Sequence, residues 1–585
     1  MLFRSGNIVY DGKCYSAELP SRTFQYDETI GINTRRVKTI HLILALCLNI
    51  GTESPDQIKQ HDAASKECWI DTAGKTNRKL VYDIAANLAD QYRSWQSCSK
   101  IEPCCDPTYE DVKRLCVTFR RMADSDRVLF HYNGHGVPLP TLNGEIWFFD
   151  KEFTQYIPLQ IYELLGTLGT PSIYVFDCNC AGRVITWCKK YAMSKRKMSK
   201  KADQFMFLAA CQDDEMLPTN PFYPADIFTS CLTTPLRVAV LHFIQNSLLM
   251  EWDPQIVDRI PGVLNNRRTP LGELNWIFTA ITDSIAWSVL PRPLFYKLFR
   301  QDLLIASLFR NFFLAQRVMQ SLKCTPISYP ALPDASNHHL WIVWDRALEL
   351  CLLQINNHYN GISGSTSFFE EQLVAFEVWL ESNEATNVTA AQLPILLQVL
   401  LSQTLRERAL KLLCRFLDLG PWACDQALAV GIFPYILKLL SSTTSVDYYD
   451  YLVFCWTKIL VVDKKKTFHP NLVRESHHMY FLRVLQNNIE RGNLDSDTNR
   501  NALYVLTTLL EENPQVKSQF MQSGIVDTIQ CYLKSSNTEV RSWCLLCLSK
   551  LWSGSIELKM RAHKKRGLTD DLLGMIQDPS PKVRV

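Results

Sequence analysis

The chain has 585 residues, 47% hydrophobic and 21% charged. That length implies several domains, and that balance excludes a wholly disordered chain. The formal net charge of +3 is close to neutral at this size and gives no global signal for nucleic acid or an acidic membrane. The 20 cysteines are spread along the chain, with Cys104 and Cys105 adjacent and no CxxC pair facing another, so no metal site is expected, and no cofactor. No basic-then-apolar leader opens the sequence, which points to reduced thiols in a cytoplasmic protein.

In chain order, the first strong signal is IHLILALCLNI, Ile40 to Ile50. It is too short to span a membrane and is expected to form a buried strand. RKLVYDIAANLADQYRSW (Arg78 to Trp95) places Leu80, Ile84, Leu88 and Tyr92 on one helical stripe. EDVKRLCVTFRRMA (Glu110 to Ala123) does the same with Val112, Leu115, Cys116 and Phe119. Arg127–Tyr132 and Ser172–Asp177 read as further interior strands, and PLQIYELLGTLG (Pro158 to Gly169) as a helix between them. Strands alternating with helices predict an α/β fold with a mainly parallel sheet and right-handed crossovers. Functional sites in such sheets form beyond the carboxyl ends of the strands, where His135, Cys178 and Cys180 fall.

A histidine beside a thiol suggests a cysteine peptidase, because an imidazole that takes the thiol proton makes a nucleophile. On this reading Gly134 and Gly136 let a substrate backbone come close. On the other reading, the cysteines are buried packing and the glycines are turn residues.

Two stretches carry a family resemblance: RVLFHYNGHGV (Arg127 to Val137) and SIYVFDCNCAG (Ser172 to Gly182). Others extend it: ECWID (Glu67 to Asp71), QYIPLQIYELL (Gln155 to Leu165), YPADIFTSCLTTP (Tyr223 to Pro235), the long block Arg267 to Met319, and Phe416 to Leu440. The chain resembles the raptor family, regulatory-associated proteins of the target-of-rapamycin kinase. The resemblance implies a caspase-like domain. Caspase-type nucleophiles precede a glycine by two or three residues. Cys180 stands two before Gly182 and Cys178 four before it; with the aspartates aligned, Cys178 matches the raptor cysteine and Asn179 the metacaspase nucleophile. The register of a dyad therefore stays open, and the family is one of scaffolds rather than working proteases.

From Trp341 the pattern is helical and repeats. Leu400, Leu440, Leu485, Leu533 and Ile576 align at spacings of 40, 45, 48 and 43 residues, the armadillo and HEAT period, with Gly431 and Gly524 opening the last helix of their repeats. The intervening Phe205–Pro330 is read as helical and aromatic-rich, a joint between sheet and solenoid. The basic run Lys189–Lys201 is expected to be a solvated loop, and Gly361–Ser367 a flexible one. The expected organisation is an N-terminal segment over 1–30, a caspase-like α/β domain over 31–204, a helical junction over 205–340, and an armadillo/HEAT-type α-solenoid over 341–585. Raptors continue into more repeats and a WD-repeat propeller, so a chain ending at DPSPKVRV reads as a fragment, a short isoform or an incomplete gene model.

The resemblance implies a non-catalytic scaffold of target-of-rapamycin complex 1. Its partners would be the kinase, substrates bearing a short signalling motif (a phenylalanine followed by acidic and apolar residues), and Rag-type GTPases at the lysosomal or vacuolar surface. The motif groove is expected where the caspase-like domain meets the solenoid. The alternatives are a cysteine peptidase using His135 with Cys178 or Cys180, and an armadillo adaptor for other cargo.

Overall fold

The computed structural model describes residues 37–50, 64–72, 79–95, 100–194, 204–247, 252–358, 368–382, 389–442, 446–464, 466–474, 476–511, 513–554, 560 and 567–584. The segment 1–30, the loop Gly361–Ser367 and the part of the basic run beyond Ser194 lie outside them. The chain divides into two compact units, one of Arg35–Arg406 and one containing Glu407–Val585.

The first unit is built on a six-stranded sheet. Its strands are β1 (Thr39–Leu46), β4 (Lys100–Cys105), β5 (Arg127–Asn133), β8 (Ser172–Asp177), β9 (Phe205–Ala209) and β10 (Ile327–Tyr329), in the order β10-β9-β8-β5-β1-β4. All pairings are parallel except β9 with β10. Two small hairpins are separate: β2 (Lys66–Glu67) with β3 (Ile70–Asp71), and β6 (Glu145–Phe149) with β7 (Tyr156–Gln160). Every residue of β5, β8 and β9 is buried, as continuous apolar runs in a sheet covered on both faces require.

Strand order decides which face each helix covers. The step from β1 to β4, through α1 (Lys79–Trp95), runs one way across the sheet. The steps to β5, β8 and β9, through α2 (Tyr109–Ala123), α3 (Ile161–Leu168) and α4 (Gly182–Ser194), run the other way. Right-handed crossovers then put α1 on one face and α2–α4 on the other. In agreement, α2 neighbours α3 and α3 neighbours α4, whereas α1 lies with the helices Ile227–Thr233 and Leu303–Ser321. Asp302 pins the last of these to the amino end of the sheet. Its carboxylate accepts from Thr39 N (2.5 Å), Thr39 Oγ1 (2.6 Å) and Arg127 (3.2 Å), and caps the helix at Leu304 N (2.9 Å).

Three expectations need correction. The segment Pro158–Gly169 is not helical throughout. Tyr156–Gln160 pairs antiparallel with Glu145–Phe149, and the helix starts at Ile161, because Pro158 pushes the residue before it towards extended backbone. The segment Phe205–Pro330 is not only a helical joint: it supplies β9 and β10, so the sheet does not end at residue 204. The basic run is not loop at its start, since α4 continues through Ser194. The aromatics of the segment do form core. Trp287 Nε1 donates to Ala390 O at 3.2 Å, Phe278 meets Trp344 edge-on at 5.4 Å, and Phe295 stacks on Phe299 at 5.2 Å.

The second unit is a helical-repeat array of long, short and third helices. One repeat has Tyr449–Val462, His469–Arg474 and Met479–Glu490; the next has Asp497–Leu510, Pro514–Gln522 and Ile525–Tyr532. Like helices neighbour like: Tyr449–Val462 lies beside Asp497–Leu510, which lies beside Thr538–Trp552. Leu440, Leu485 and Leu533 are buried as their shared register requires, and Leu400, aligned with them in sequence, is buried within the first unit. Ile576 departs from it at 64% exposed. Gly431, Gly524 and Gly567 take φ of 96°, 79° and 81° just before the third helix, and Ser476 takes 56° at the matching turn.

Candidate functional site

The turns after β5 and β8 bring His135, Asp177 and the two cysteines to the carboxyl edge of the sheet, as the alternation of strands and helices predicted. What surrounds His135, however, is acid rather than thiol. Its Nδ1 lies 2.7 Å from Glu67 Oε1 and its Nε2 lies 3.3 Å from Asp177 Oδ1. Burial alone would lower its pKa, but the Glu67 and Asp177 carboxylates outweigh that and raise it well above the ordinary histidine value. The ring is an imidazolium donating at both nitrogens. Asp177 is fully buried, which favours its neutral form, yet His135 and Thr229 hold its pKa below the usual range. Its second oxygen accepts from Thr229 N (3.0 Å) and Thr229 Oγ1 (2.5 Å).

Glu67 comes from the β2–β3 hairpin, whose turn residues Cys68 and Trp69 have φ of 48° and 70°. Asp226 holds that turn: its carboxyl accepts from Cys68 N at 3.0 Å and faces Cys68 Sγ at 3.1 Å. Burial, and then the nearby charges of Glu67 and Asp177, push the Asp226 pKa well above the carboxylate range. Glu67 and Asp177 thus share the His135 ring between them, while Asp226, packed beside them, has its charged form disfavoured. Trp69 Nε1 donates to Thr234 Oγ1 at 2.9 Å, and Arg237 lies over its ring at 4.1 Å.

The thiols are deep in packing. Cys178 and Cys180 are buried, and burial raises both pKa values, Cys178 well above the ordinary one. Cys180 sits in the left-handed region at φ 53°. The amides that could hold an oxyanion are engaged within the chain. Gly134 N donates to Asp177 O (2.9 Å), Gly136 N to Cys47 O (2.8 Å), Cys180 N to Glu215 O (2.9 Å) and Ala181 N to Cys211 Sγ (3.3 Å). His135 N donates to Asn133 Oδ1 at 3.1 Å. The glycines serve the chain's own packing. A Cβ at Gly136 would stand 2.2 Å from the Leu48 backbone, and one at Gly134 2.6 Å from the Tyr132 ring. The side chain of Asn179 accepts from Leu217 N at 2.8 Å. Among the described residues no group of His, Cys, Asp and Glu could hold a metal ion.

Comparison with known proteins places this architecture. Residues 37–188 match the family model described as the raptor N-terminal caspase-like domain. The whole chain is 46% identical, over 94% of its length, to regulatory-associated protein of TOR 2 of Oryza sativa, of which it covers 41%. It is 42% identical over 94% of its length to a target of rapamycin complex 1 subunit of Schizosaccharomyces pombe, of which it covers 43%. The crystal structure of Chaetomium thermophilum Raptor matches 94% of the chain and 50% of that chain, with TM-score 0.83 and 40% identity. The chain therefore spans about two fifths of the length of the curated relatives it matches.

Reading the sequence singled out His135, Cys178 and Cys180, and missed the acids that surround His135. Asp177 directly precedes Cys178 and served only to set an alignment register. Asp226 stands one residue before the helix Ile227–Thr233, a position where an acid ordinarily reads as a helix start. Glu67 opens the ECWID stretch that carries part of the resemblance, but no period marked it for the site: the two-residue strands of its hairpin are too short to show alternation.

Proposed function

We propose that the chain is a non-catalytic scaffold of target of rapamycin complex 1, binding the kinase and recruiting substrates through a short motif of phenylalanine, acid and apolar residues. The likeness to raptor proteins over 94% of the chain supports the subunit reading. The observation that carries the absence of peptidase chemistry is the His135 ring, held between Glu67 and Asp177. A protonated imidazole with both N–H groups donated has no lone pair with which to accept a thiol proton. The buried thiols and engaged amides support the same reading. Recruitment raises the local concentration of substrate at the kinase, a gain that needs no chemistry in the scaffold. The proposed location is the cytoplasm, with Rag-type GTPases bringing the complex to the lysosomal or vacuolar surface.

Affinity purification of the tagged chain from cells tests the scaffold. Co-purification of the kinase, with substrate phosphorylation that falls when the chain is depleted and returns with a Cys178→Ala/Cys180→Ala chain, is the expected result. Specific labelling of either cysteine by an electrophilic peptide, with peptide cleavage that depends on it, would overturn the non-catalytic reading.

A further inference from the structure

Just after the His135 turn, the chain lifts apolar side chains out of the protein and holds them there. Leu142 is 81% exposed and Leu139 41%. They belong to a tied segment rather than a slack one. Arg183 donates to Pro140 O at 2.8 Å, Trp147 Nε1 to Leu139 O at 3.0 Å, Thr141 N to Glu145 O at 3.1 Å, and Gly144 N to Thr141 O at 3.0 Å. Gly144, at φ 74°, rests so closely on Trp187 of α4 that a Cβ would stand 2.8 Å from its side chain. Tyr162 of α3, 47% exposed, lies 6.1 Å from the Trp187 ring. Aliphatic tip, indole and phenol therefore form one ridge. Lys189 and Lys190 are exposed on α4, and Lys190, three residues on from Trp187, shares its face.

Three acids near the ridge are held by side chains of the protein itself, one of them by a cation. Glu163 pairs with Lys113 and accepts from Tyr109 Oη at 3.0 Å. Glu145 accepts from Thr141 Oγ1 (2.8 Å) and from Gln160 Nε2. Asp213 accepts from Thr186 Oγ1 at 2.9 Å. Residues 189–201 carry seven Lys and Arg and no acid.

An exposed leucine on a rigid tip, aromatics behind it with a polar end each, and lysines at their side match the layers of a membrane interface. The leucines would enter the acyl boundary, the indole and phenol would sit at headgroup level, and the ammonium groups would meet anionic headgroups. We infer that the ridge of Leu139, Leu142, Tyr162 and Trp187, with Lys189 and Lys190, docks the protein on an anionic lipid bilayer. The contact is peripheral: no single helix among the described residues is long and apolar enough to cross a membrane. It is independent of the scaffold reading, since it asks nothing of the kinase or of a substrate motif.

Co-sedimentation of the full chain with large vesicles decides it. The probes are phosphatidylcholine alone and phosphatidylcholine with about a third phosphatidylserine, each at low and at physiological salt. The expected result is binding to the anionic vesicles that weakens with salt, and little binding to the neutral ones. Lys189→Gln with Lys190→Gln should weaken it about thirtyfold, at roughly fivefold for each lysine's share of the surface attraction. Leu142→Ser should weaken it about tenfold while leaving the melting temperature unchanged, since the side chain packs against little. Absence of sedimentation with anionic vesicles at low salt overturns the inference, and so does undiminished binding by both variants. Either outcome would leave the ridge to a protein partner.

Discussion

His135 is the residue whose chemistry decides the site, and its charge gives stability a pH signature. Its folded pKa is raised, so the stability it contributes is fully present below the unfolded value of about 6.5 and is lost as pH rises through the folded one. Asp177 has the opposite sign. Its folded pKa is lowered, so its contribution is present above about pH 4 and lost as pH falls through the folded value. A His135→Gln variant should therefore be destabilised most between about pH 4.5 and 6.5, by about 3 kcal/mol, because two buried carboxylates lose their shared cation. Thermal melts of both proteins across pH check this. A destabilisation that grows above pH 8 would contradict the imidazolium assignment. The cysteines behave differently. With thiols pushed up by burial, Cys178→Ala and Cys180→Ala should each cost only about 1 kcal/mol or somewhat more and leave kinase-substrate phosphorylation intact. Total loss of phosphorylation by a variant with an unchanged circular dichroism spectrum would refute that. From sequence, the histidine and the thiols could be read as a dyad because a strand-end His and Cys are visible in one dimension. The acids that convert the histidine into a buried cation come from chain positions 67, 177 and 226, and only the fold brings them together.

At the scale of the element, legibility followed locality. The helices Lys79–Trp95 and Tyr109–Ala123 were read from their stripes to within a residue of their ends, since each buries its stripe, Leu115 alone staying half-buried. The strand β10 was not read, because three residues separated from β9 by more than a hundred carry no period of their own. The repeat register was read from leucines, and the turns that set it obey one backbone rule. Gly431, Gly524 and Gly567 hold the left-handed region ahead of the third helix, where a Cβ costs about 1 kcal/mol. At Gly524 the nearest atom to such a Cβ is Asp527 Oδ2 at 3.8 Å, so strain acts there without a clash. Chemical denaturation of the Gly524 series should rank Asn least destabilising, Ala next at about 1 kcal/mol, and Val worst. The rank tests the conformation directly, since a packing effect would make Ala the mildest. Ser476, at φ 56° in the equivalent turn, shows that the array accommodates a side chain there.

At the scale of the molecule, the sheet is assembled from distant chain, and that sets where the protein can be cut. A fragment ending at residue 204 carries four of the six sheet strands and leaves the edge of β8 open. That edge is not built for water: each residue of β9 that covers it is buried, and Tyr174 of β8 stacks on Phe207 of β9 at 5.1 Å. The same fragment lacks Asp302, which binds the amino ends of β1 and β5, and the helix Leu303–Ser321 behind it, buried along most of its length. It also lacks Thr229 and Asp226, leaving Asp177 without the two donors of Thr229 and the Cys68 turn without its acceptor. An unpaired apolar edge and stranded buried polar groups both favour aggregation over folding. Residues 37–406 retain every one of these partners and the packing of the helix Pro270–Val289 against Leu340–His358 and Leu393–Val399. The expected outcome is a soluble 37–406 fragment with a single cooperative melt, and a 37–204 fragment that is insoluble or melts without cooperativity. Limited proteolysis of the full chain should agree, leaving the bond after residue 204 no more stable a boundary than any other loop. A cooperative melt from 37–204 alone would mean that β9, β10 and the Leu303–Ser321 helix are additions to a domain that is already complete without them.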